Sequence, residues 1–441
     1  MPAFVEPVPS DPALPARTDV VIVGGGIIGA ATAFFLAERG IAVTLCEKGS
    51  IGAEQSSRNW GWCRTMGRDL REIPLSIESL RLWRGMNARL GAETGFRQAG
   101  IVYTCDTPQD MAFREEWLDA ARQWQIDARP VSGGALADLL PGAARKFVGG
   151  LYTPSDGRAE PSLAAPALAM AAGRLGAVVL TGCAVRGIDT EGGRIAAAIT
   201  EKGRIACQSV VVAGGAWSRL FLGNFGVAVP QLKLLGSVMR TAPLAGAPEH
   251  AIGASNFAFR KRLDGGYTVA RRGAYVAEIV PDSFRLFFDF LPTLRVQWHE
   301  LRLRVGSRFL TEWRTPRRWA LDAVSPFETV RVLDPLPNER LLGEARANLA
   351  AAFPVFRDMV VADSWGGLID ATPDGVPVIS PVETHPGLFI ATGFSGHGFG
   401  LGPGAGRLMA DLVAGAAPIV DPAPFRYDRF RGSLAAPMRR G

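Results

Sequence analysis

The stretch Val20-Val21-Ile22-Val23-Gly24-Gly25-Gly26-Ile27-Ile28-Gly29 decides how the rest of this 441-residue chain is read. Its first four residues are β-branched and carry no polar alternation, the pattern of a central parallel strand buried on both faces. Residues 27–39 then predict a helix, with Phe34, Phe35 and Leu36 toward the sheet and Glu38 and Arg39 outside. A second short strand is expected over 41–46, ending on Glu47. Each glycine has its own mechanical task. Gly24 permits the tight turn, Gly26 lets the backbone approach a pyrophosphate, and Gly29 lets the helix sit close to the strand. The helix start, at Ile27 and Ile28, offers free N–H groups and a positive dipole end to phosphates. Glu47, about twenty residues on and followed by Lys48, is placed to hydrogen-bond a ribose diol. Strand, glycines, helix, second strand and terminal acid fall in order, so a dinucleotide site is expected. A ligand-free glycine turn would leave the position of Glu47 unexplained.

Working outward, the length predicts two domains, and 48% hydrophobic residues supply ample core. The apolar run over 20–37 is long enough to suggest a membrane span, but its central glycines argue against one. Residues 1–16 read as a proline-rich lead-in with neither the basic nor the apolar region of a signal peptide. Cys46, Cys63, Cys105, Cys183 and Cys207 are scattered and form no CxxC, which predicts reduced thiols in a cytoplasmic protein and no metal site. The net charge is +6, spread along the chain mostly as arginine. Outside residues 294–319 no dense basic tract interleaves with aromatics, which sets a nucleic-acid partner aside.

Residues 53–64 follow the second strand with small hydroxyls, cations and two indoles. Ser56 and Ser57 are placed to donate to phosphate oxygens, and Trp60 and Trp62 to wall a flat ring. A second buried strand over 209–212 also runs into glycines, Gly214 and Gly215. Two such strand ends fit one sheet whose carboxyl edge holds one long ligand. Residues 231–355 change character and suggest a separate substrate domain. Within it, residues 294–322 read as a basic, aromatic helical stretch. It either packs on the core or docks on a membrane or quinone. Residues 365–379 read strand, turn, strand. Gly393-Phe394-Ser395-Gly396-His397-Gly398 then leads into a helix whose N–H groups face something flat or anionic.

Three patterns together carry a resemblance: the first glycines with Glu47, the strand end over 210–218, and the pair 365–379 with 393–407. The chain resembles the D-amino-acid-oxidase-like family of FAD-dependent amine and amino-acid oxidoreductases, over nearly its whole length and least over 231–355. The resemblance implies an α/β fold. It joins a Rossmann-like, glutathione-reductase-like FAD-binding domain (17–90, 150–230 and 360–441) to an α+β substrate domain with a mainly antiparallel sheet (91–149 and 231–359).

It also implies non-covalent FAD, since no early histidine or late cysteine stands where some relatives attach the flavin. Gly24, Gly26 and Gly29 would hold the pyrophosphate and Glu47 the ribose. Val185 would present its backbone to the adenine, and Gly214 would approach the nucleotide. Gly396, Gly398 and the following helix would cover the pyrimidine edge of the flavin, with His397 as a supporting residue and not an essential base. The implied reaction is hydride transfer from a neutral amine to flavin N5, with hydrolysis of the imine to a carbonyl compound and ammonia or an amine. Oxygen, a quinone or an artificial acceptor would reoxidise the flavin, in the cytoplasm or at the inner face of the membrane.

One departure matters. Many family members place an arginine just before the Thr-Pro-Asp-Gly turn, where this chain has Ile369 and Asp370. Either another arginine (Arg58, Arg64 or Arg260) holds a substrate carboxylate, or the substrate is a simple amine or a basic amino acid facing Asp370. Trp365 and Trp60 complete the substrate-binding candidates.

Overall fold

The computed structural model describes residues 3–430. A six-stranded sheet runs in the order Val378–Pro381, Leu388–Thr392, Ser209–Val212, Val20–Val23, Val43–Cys46 and Val178–Leu180. All neighbours are parallel except the antiparallel pair at the Val378–Pro381 edge. The quoted strand is thus central, and its unbroken β-branched run matches burial on both faces.

The helix Ile27–Ala37 is buried at every position because helices Pro161–Arg174 and Gly398–Val413 lie against it. Glycines set that contact. A Cβ at Gly406 would stand 2.4 Å from the Ala31 Cβ, and one at Gly402 would stand 2.8 Å from Ile27. The glycines after His397 therefore serve helix packing as well as the exposure of backbone N–H groups.

The second large sheet has ten strands. Its centre is Leu232–Thr241, antiparallel to Val361–Ala371 over ten residue pairs from Leu232 opposite Ala371 to Thr241 opposite Val361. Helix Glu339–Ala352 covers it, and Phe257, Phe259, Tyr267, Phe353 and Phe356 form the aromatic core beneath. Strands Gly149–Thr153 and Val361–Ala371 hydrogen-bond into this sheet. The sequence had grouped them with the cofactor-binding unit, so the boundaries at 150 and 360 fall too early. Residues 431–441, grouped with the same unit, lie outside the described residues.

Residues 294–322 do not form the expected helical stretch. Helix Phe287–Gln297 ends early, Leu301–Arg304 is a strand parallel to Tyr275–Glu278, and Arg308–Arg314 is a separate short helix. The alternation Leu301-Arg302-Leu303-Arg304 has the period of a strand, and Gly306 breaks the pattern before the short helix begins. No residue of either helix is buried, and Phe288, Trp298, Val305 and Trp313 are 65–77% exposed. No helix among the described residues is long and apolar enough to cross a membrane.

Candidate active site

A cavity of about 1130 Å³ lies between the two sheets. At one end its wall is Gly24, Gly26, Ile27, Ile28, Glu47 and Val185, with Gly214 packed beside Gly24. The backbone there has the shape of a nucleotide cradle. Gly24 adopts φ +106°, a conformation an L side chain rarely takes. A Cβ on it would lie 2.6 Å from the Ala213 carbonyl oxygen. Gly29 faces away from the cavity, and a Cβ there would fall 2.0 Å from the Gly24 carbonyl oxygen, so it sets how closely helix and strand approach.

Glu47 accepts the Gly25 N–H at 2.7 Å through one oxygen and the Gly49 N–H at 2.8 Å through the other. Burial pushes its pKa up, partly offset by these bonds and by Lys48. The Ser56 hydroxyl accepts the Ile27 N–H at 2.8 Å and keeps its own proton for a ligand oxygen. Neutral donors, a helix N-terminus and an acid aligned by two backbone N–H groups fit an adenine dinucleotide phosphate in this cradle.

Two cofactor candidates are placed differently. The Ser57 hydroxyl is buried and donates to the Glu54 carbonyl at 3.2 Å. The Lys48 ammonium reaches Glu54 at 2.7 Å and the carbonyls of Val330 and Arg331 at 3.0 and 2.8 Å, which ties the strand end to a distant loop.

The middle of the cavity is walled by Ile369 and residues 394–400. Gly396 has φ +84°, and His397 precedes the helix Gly398–Val413. His397 Nδ1 lies 3.2 Å from the carboxylate of Glu72, a fully buried residue whose second oxygen has no partner. Burial and the nearby Arg68 guanidinium depress the His397 pKa, so at neutral pH the ring is uncharged.

The substrate candidates divide. Trp60 and Arg64 line the cavity. Asp370 borders it, but its carboxylate is only 2% exposed and accepts Gly393 N–H at 2.8 Å, Gln231 at 3.0 Å and Thr392 at 3.2 Å. All three donors meet one oxygen, Oδ2, and through it the carboxylate braces a turn. Arg58 also lines the cavity: its Nη1 is held by Asp334 at 2.6 Å and the Gly366 carbonyl at 2.9 Å, while its Nη2 is buried without a hydrogen-bond partner. Arg260 is fully buried and grips both oxygens of Glu160 at 2.7 and 3.0 Å, away from the cavity. Trp365 is buried too, donating to the Arg58 carbonyl at 3.1 Å.

Of the residues that dominate the far end, sequence reading named Arg64 and missed Arg68, Tyr103, Arg114 and Arg272. Tyr103, on strand Ile101–Cys105, is met by Arg272 at 4.2 Å, Arg114 at 4.8 Å and Arg64 at 5.7 Å from its ring centre. Arg68 stands close by. One Nη atom each of Arg68 and Arg114 is buried without a hydrogen-bond partner. Burial, then the repulsion of Arg64 on Arg68 and of Arg272 on Arg114, pulls both pKa values down to about 10. Burial alone would raise the Tyr103 pKa, but the four guanidiniums outweigh it and the net shift is downward. Such a crowd of cations around buried, unfilled donors is built for an anion. No spacing rule links positions 64, 68, 114 and 272, and they meet only through the sheet.

A nucleotide cradle continuing into a cavity that ends in arginines defines a cofactor-dependent enzyme of small molecules. The chain belongs to the FAD dependent oxidoreductase (DAO) family, whose model matches residues 19–412. It is 26% identical to glycine oxidase of Pseudomonas putida, over 92% of this chain and 97% of that one. It superposes on L-amino acid deaminase from Proteus myxofaciens, solved in complex with anthranilate, with a TM-score of 0.94 and 36% identity over 98% of each chain. The corresponding values for L-amino acid deaminase from Proteus vulgaris are 0.92 and 34%, over 97% of this chain and all of that one. The cofactor is FAD, and Gly24, Gly26, Glu47 and Ser56 would hold its diphosphate and ribose.

Proposed function

We propose that this enzyme oxidises the Cα–N bond of an α-amino acid, giving a 2-oxo acid and ammonia after hydrolysis of the imine. The arginine cluster at Tyr103 carries the reading, because it offers buried guanidinium donors to a carboxylate within the cavity that holds the cofactor cradle. Similarity to deaminases of L-amino acids at 34–36% identity supports the L enantiomer. A basic side chain, the initial expectation from Asp370, is disfavoured, since the Asp370 carboxylate is buried and already takes three donors, and four guanidiniums stand around Tyr103.

When bound, the flavin supplies the acceptor for the hydride that leaves the α-carbon. The protein supplies position. Arg64 and its neighbours fix the carboxylate, and the walls of Trp60, Trp62 and Tyr103 exclude water from the reacting carbon. The N-terminus of helix Gly398–Val413 turns its positive end toward the cavity, where it favours negative charge developing on a bound ring. His397, held neutral, needs to remove no proton from carbon when hydrogen leaves as hydride. The test is anaerobic mixing of the purified holoenzyme with amino acids and amines. Bleaching of the flavin by amino acids supports the reading, and bleaching by simple amines alone, or by neither, refutes it.

A second reading concerns the acceptor. The exposed Phe288, Trp298, Val305 and Trp313 lie among Arg285, Arg295, Arg302 and Arg314, and Phe284, Phe287 and Leu303 of the same region line the cavity. Apolar rings set among cations suit the surface of an anionic bilayer, and a lipid-soluble quinone would reach the cavity there. Co-sedimentation with anionic but not neutral liposomes, lost in Phe288→Ser/Trp313→Ser, is the expected result. A protein that stays in the supernatant removes this reading.

A further inference from the structure

A single α-carboxylate presents two oxygens, which one forked guanidinium satisfies. The cavity brings four guanidiniums to one tyrosine: Arg64, Arg68, Arg114 and Arg272. Among the described residues Arg64, Arg68 and Arg114 enter no ion pair. Nearby carboxylates have other tasks. Asp156 accepts Thr65 N–H at 2.7 Å, the Thr65 hydroxyl at 2.9 Å and Met66 N–H at 3.2 Å. Asp110 caps its own helix through Thr107, and Asp69 holds Arg71. Glu72 shares its charge between His397 and Arg68, and Glu300 sits across the cavity beside Tyr275. Asp156 also acts on Arg64 and Arg68, so what marks the cluster is not net charge but unfilled donors on two guanidiniums from separate elements, Arg68 and Arg114.

Part of the cluster holds backbone: Arg64 donates to the Met66 carbonyl, Arg68 Nε to the Arg64 carbonyl at 3.3 Å and Arg272 to the Ala254 carbonyl at 3.2 Å. Surface arginines tolerate crowding because water screens them, but these guanidiniums are drawn into the wall of a cavity. Arg64, Arg68 and Arg114 do not grip a carboxylate in the way Arg260 grips Glu160, through two short bonds. Arg114 comes from helix Pro108–Ala121 and Arg272 follows strand Tyr267–Ala270, so two separate elements each contribute a cation to the same space. One Nη atom of Arg114 and one of Arg68 lack a hydrogen-bond partner.

We propose that the substrate is an amino dicarboxylate: one carboxylate orients the α-carbon, and a second, on the side chain, is held by the remaining guanidiniums, with Arg114 as a specificity-determining residue. This deepens the reading of the enzyme as an amino-acid oxidase or dehydrogenase and rests on it. The reaction is unchanged, with two electrons and a proton leaving the Cα–N unit for the flavin and the distal carboxylate taking no part.

Two readouts on the holoenzyme test it. The first is anaerobic flavin reduction by glutamate and 2-aminoadipate against glutamine and norleucine, in both enantiomers. A preference of at least tenfold in kcat/KM for the dicarboxylates supports the proposal, provided Arg114→Gln lowers that preference at least tenfold. Neutral isosteres that react as well or better overturn it and leave the oxidase reading intact. If no amino acid reduces the flavin, the oxidase reading fails, and the second readout decides the dianion site alone. It measures binding of unreactive glutarate and pentanoate from the perturbation of the visible flavin spectrum. Glutarate binding at least tenfold tighter, with the difference shrinking as salt rises, supports a two-anion site. Equal affinities overturn it.

Discussion

The Asp370 carboxylate accepts the Gly393 N–H at 2.8 Å, joining the end of a strand in the large sheet to the turn that follows a strand of the parallel sheet. Gln231 and Thr392 bond to the same carboxylate oxygen. Asp370→Ala would leave several buried donors unfilled, a loss of about 1–3 kcal/mol. Asp370→Asn can keep an oxygen on that side and costs less. Urea unfolding of both variants should show this order. Neither should alter the relative rates with lysine and norleucine, and a selective loss of lysine turnover would return Asp370 to the substrate.

The same residue predicts a pH dependence. Burial raises the Asp370 pKa from its ordinary 3.8 to about 6, against the bonds that lower it. A raised folded value means that the folded protein binds the proton more tightly than the unfolded chain. The contribution is fully present below about pH 4 and is lost as pH rises through about 6, a change of about 2–3 kcal/mol. Asp156, also raised to about 6 by burial, acts in the same direction. Between pH 4 and 7 the wild type should therefore lose more stability than Asp370→Asn. Parallel unfolding midpoints across that range would contradict the assignment.

How far the sequence could be read depends on the range of the interactions. Residues 20–47 were legible because strand, turn, helix and acid interact within one local unit. Gly24, Gly26 and Glu47 stand in the cavity wall, where the motif's spacing puts them. Arg260 was misread because its partner, Glu160, lies 100 residues away, and the pairing of Arg58 with Asp334, 276 residues apart, was equally hidden. An arginine beside a tryptophan looks the same in a sequence whether it faces substrate or a buried acid. The cluster of Arg68, Arg114 and Arg272 was invisible for the same reason. The strand at 301–304 was legible in principle, but its two-residue alternation was taken for helix among so many long side chains.

The Arg260–Glu160 pair gives a sharper test of what is structural. Arg260→Met leaves Glu160 buried with much of its partner lost, which costs about 3–5 kcal/mol. Replacing both residues, as Arg260→Met/Glu160→Met, removes the stranded charge and should recover most of that loss. The double variant should also retain amino-acid turnover, because the pair lies outside the cavity wall. Chemical unfolding and flavin reduction measure the two halves. If the double variant folds but loses turnover, Arg260 belongs to the substrate site after all.

Glu47 connects the opening motif to cofactor affinity. Its two oxygens are each aligned by a backbone N–H, from Gly25 and from Gly49, so the acid both shapes the glycine turn and faces the cavity. An amide cannot serve both bonds. In Glu47→Gln the NH2 group would confront one of the two N–H donors, with a loss of about 1–3 kcal/mol. A ribose diol bonded to the carboxylate would lose a charge-assisted bond as well. The expected result is FAD affinity weaker by about ten- to hundredfold, read by titrating apoprotein with FAD and following its fluorescence. Ser56→Ala removes only the acceptor of the Ile27 N–H and one donor, and should weaken FAD by less. If Glu47→Gln binds FAD as tightly as the wild type while Ser56→Ala does not, the ribose is held elsewhere and the acid serves the turn alone.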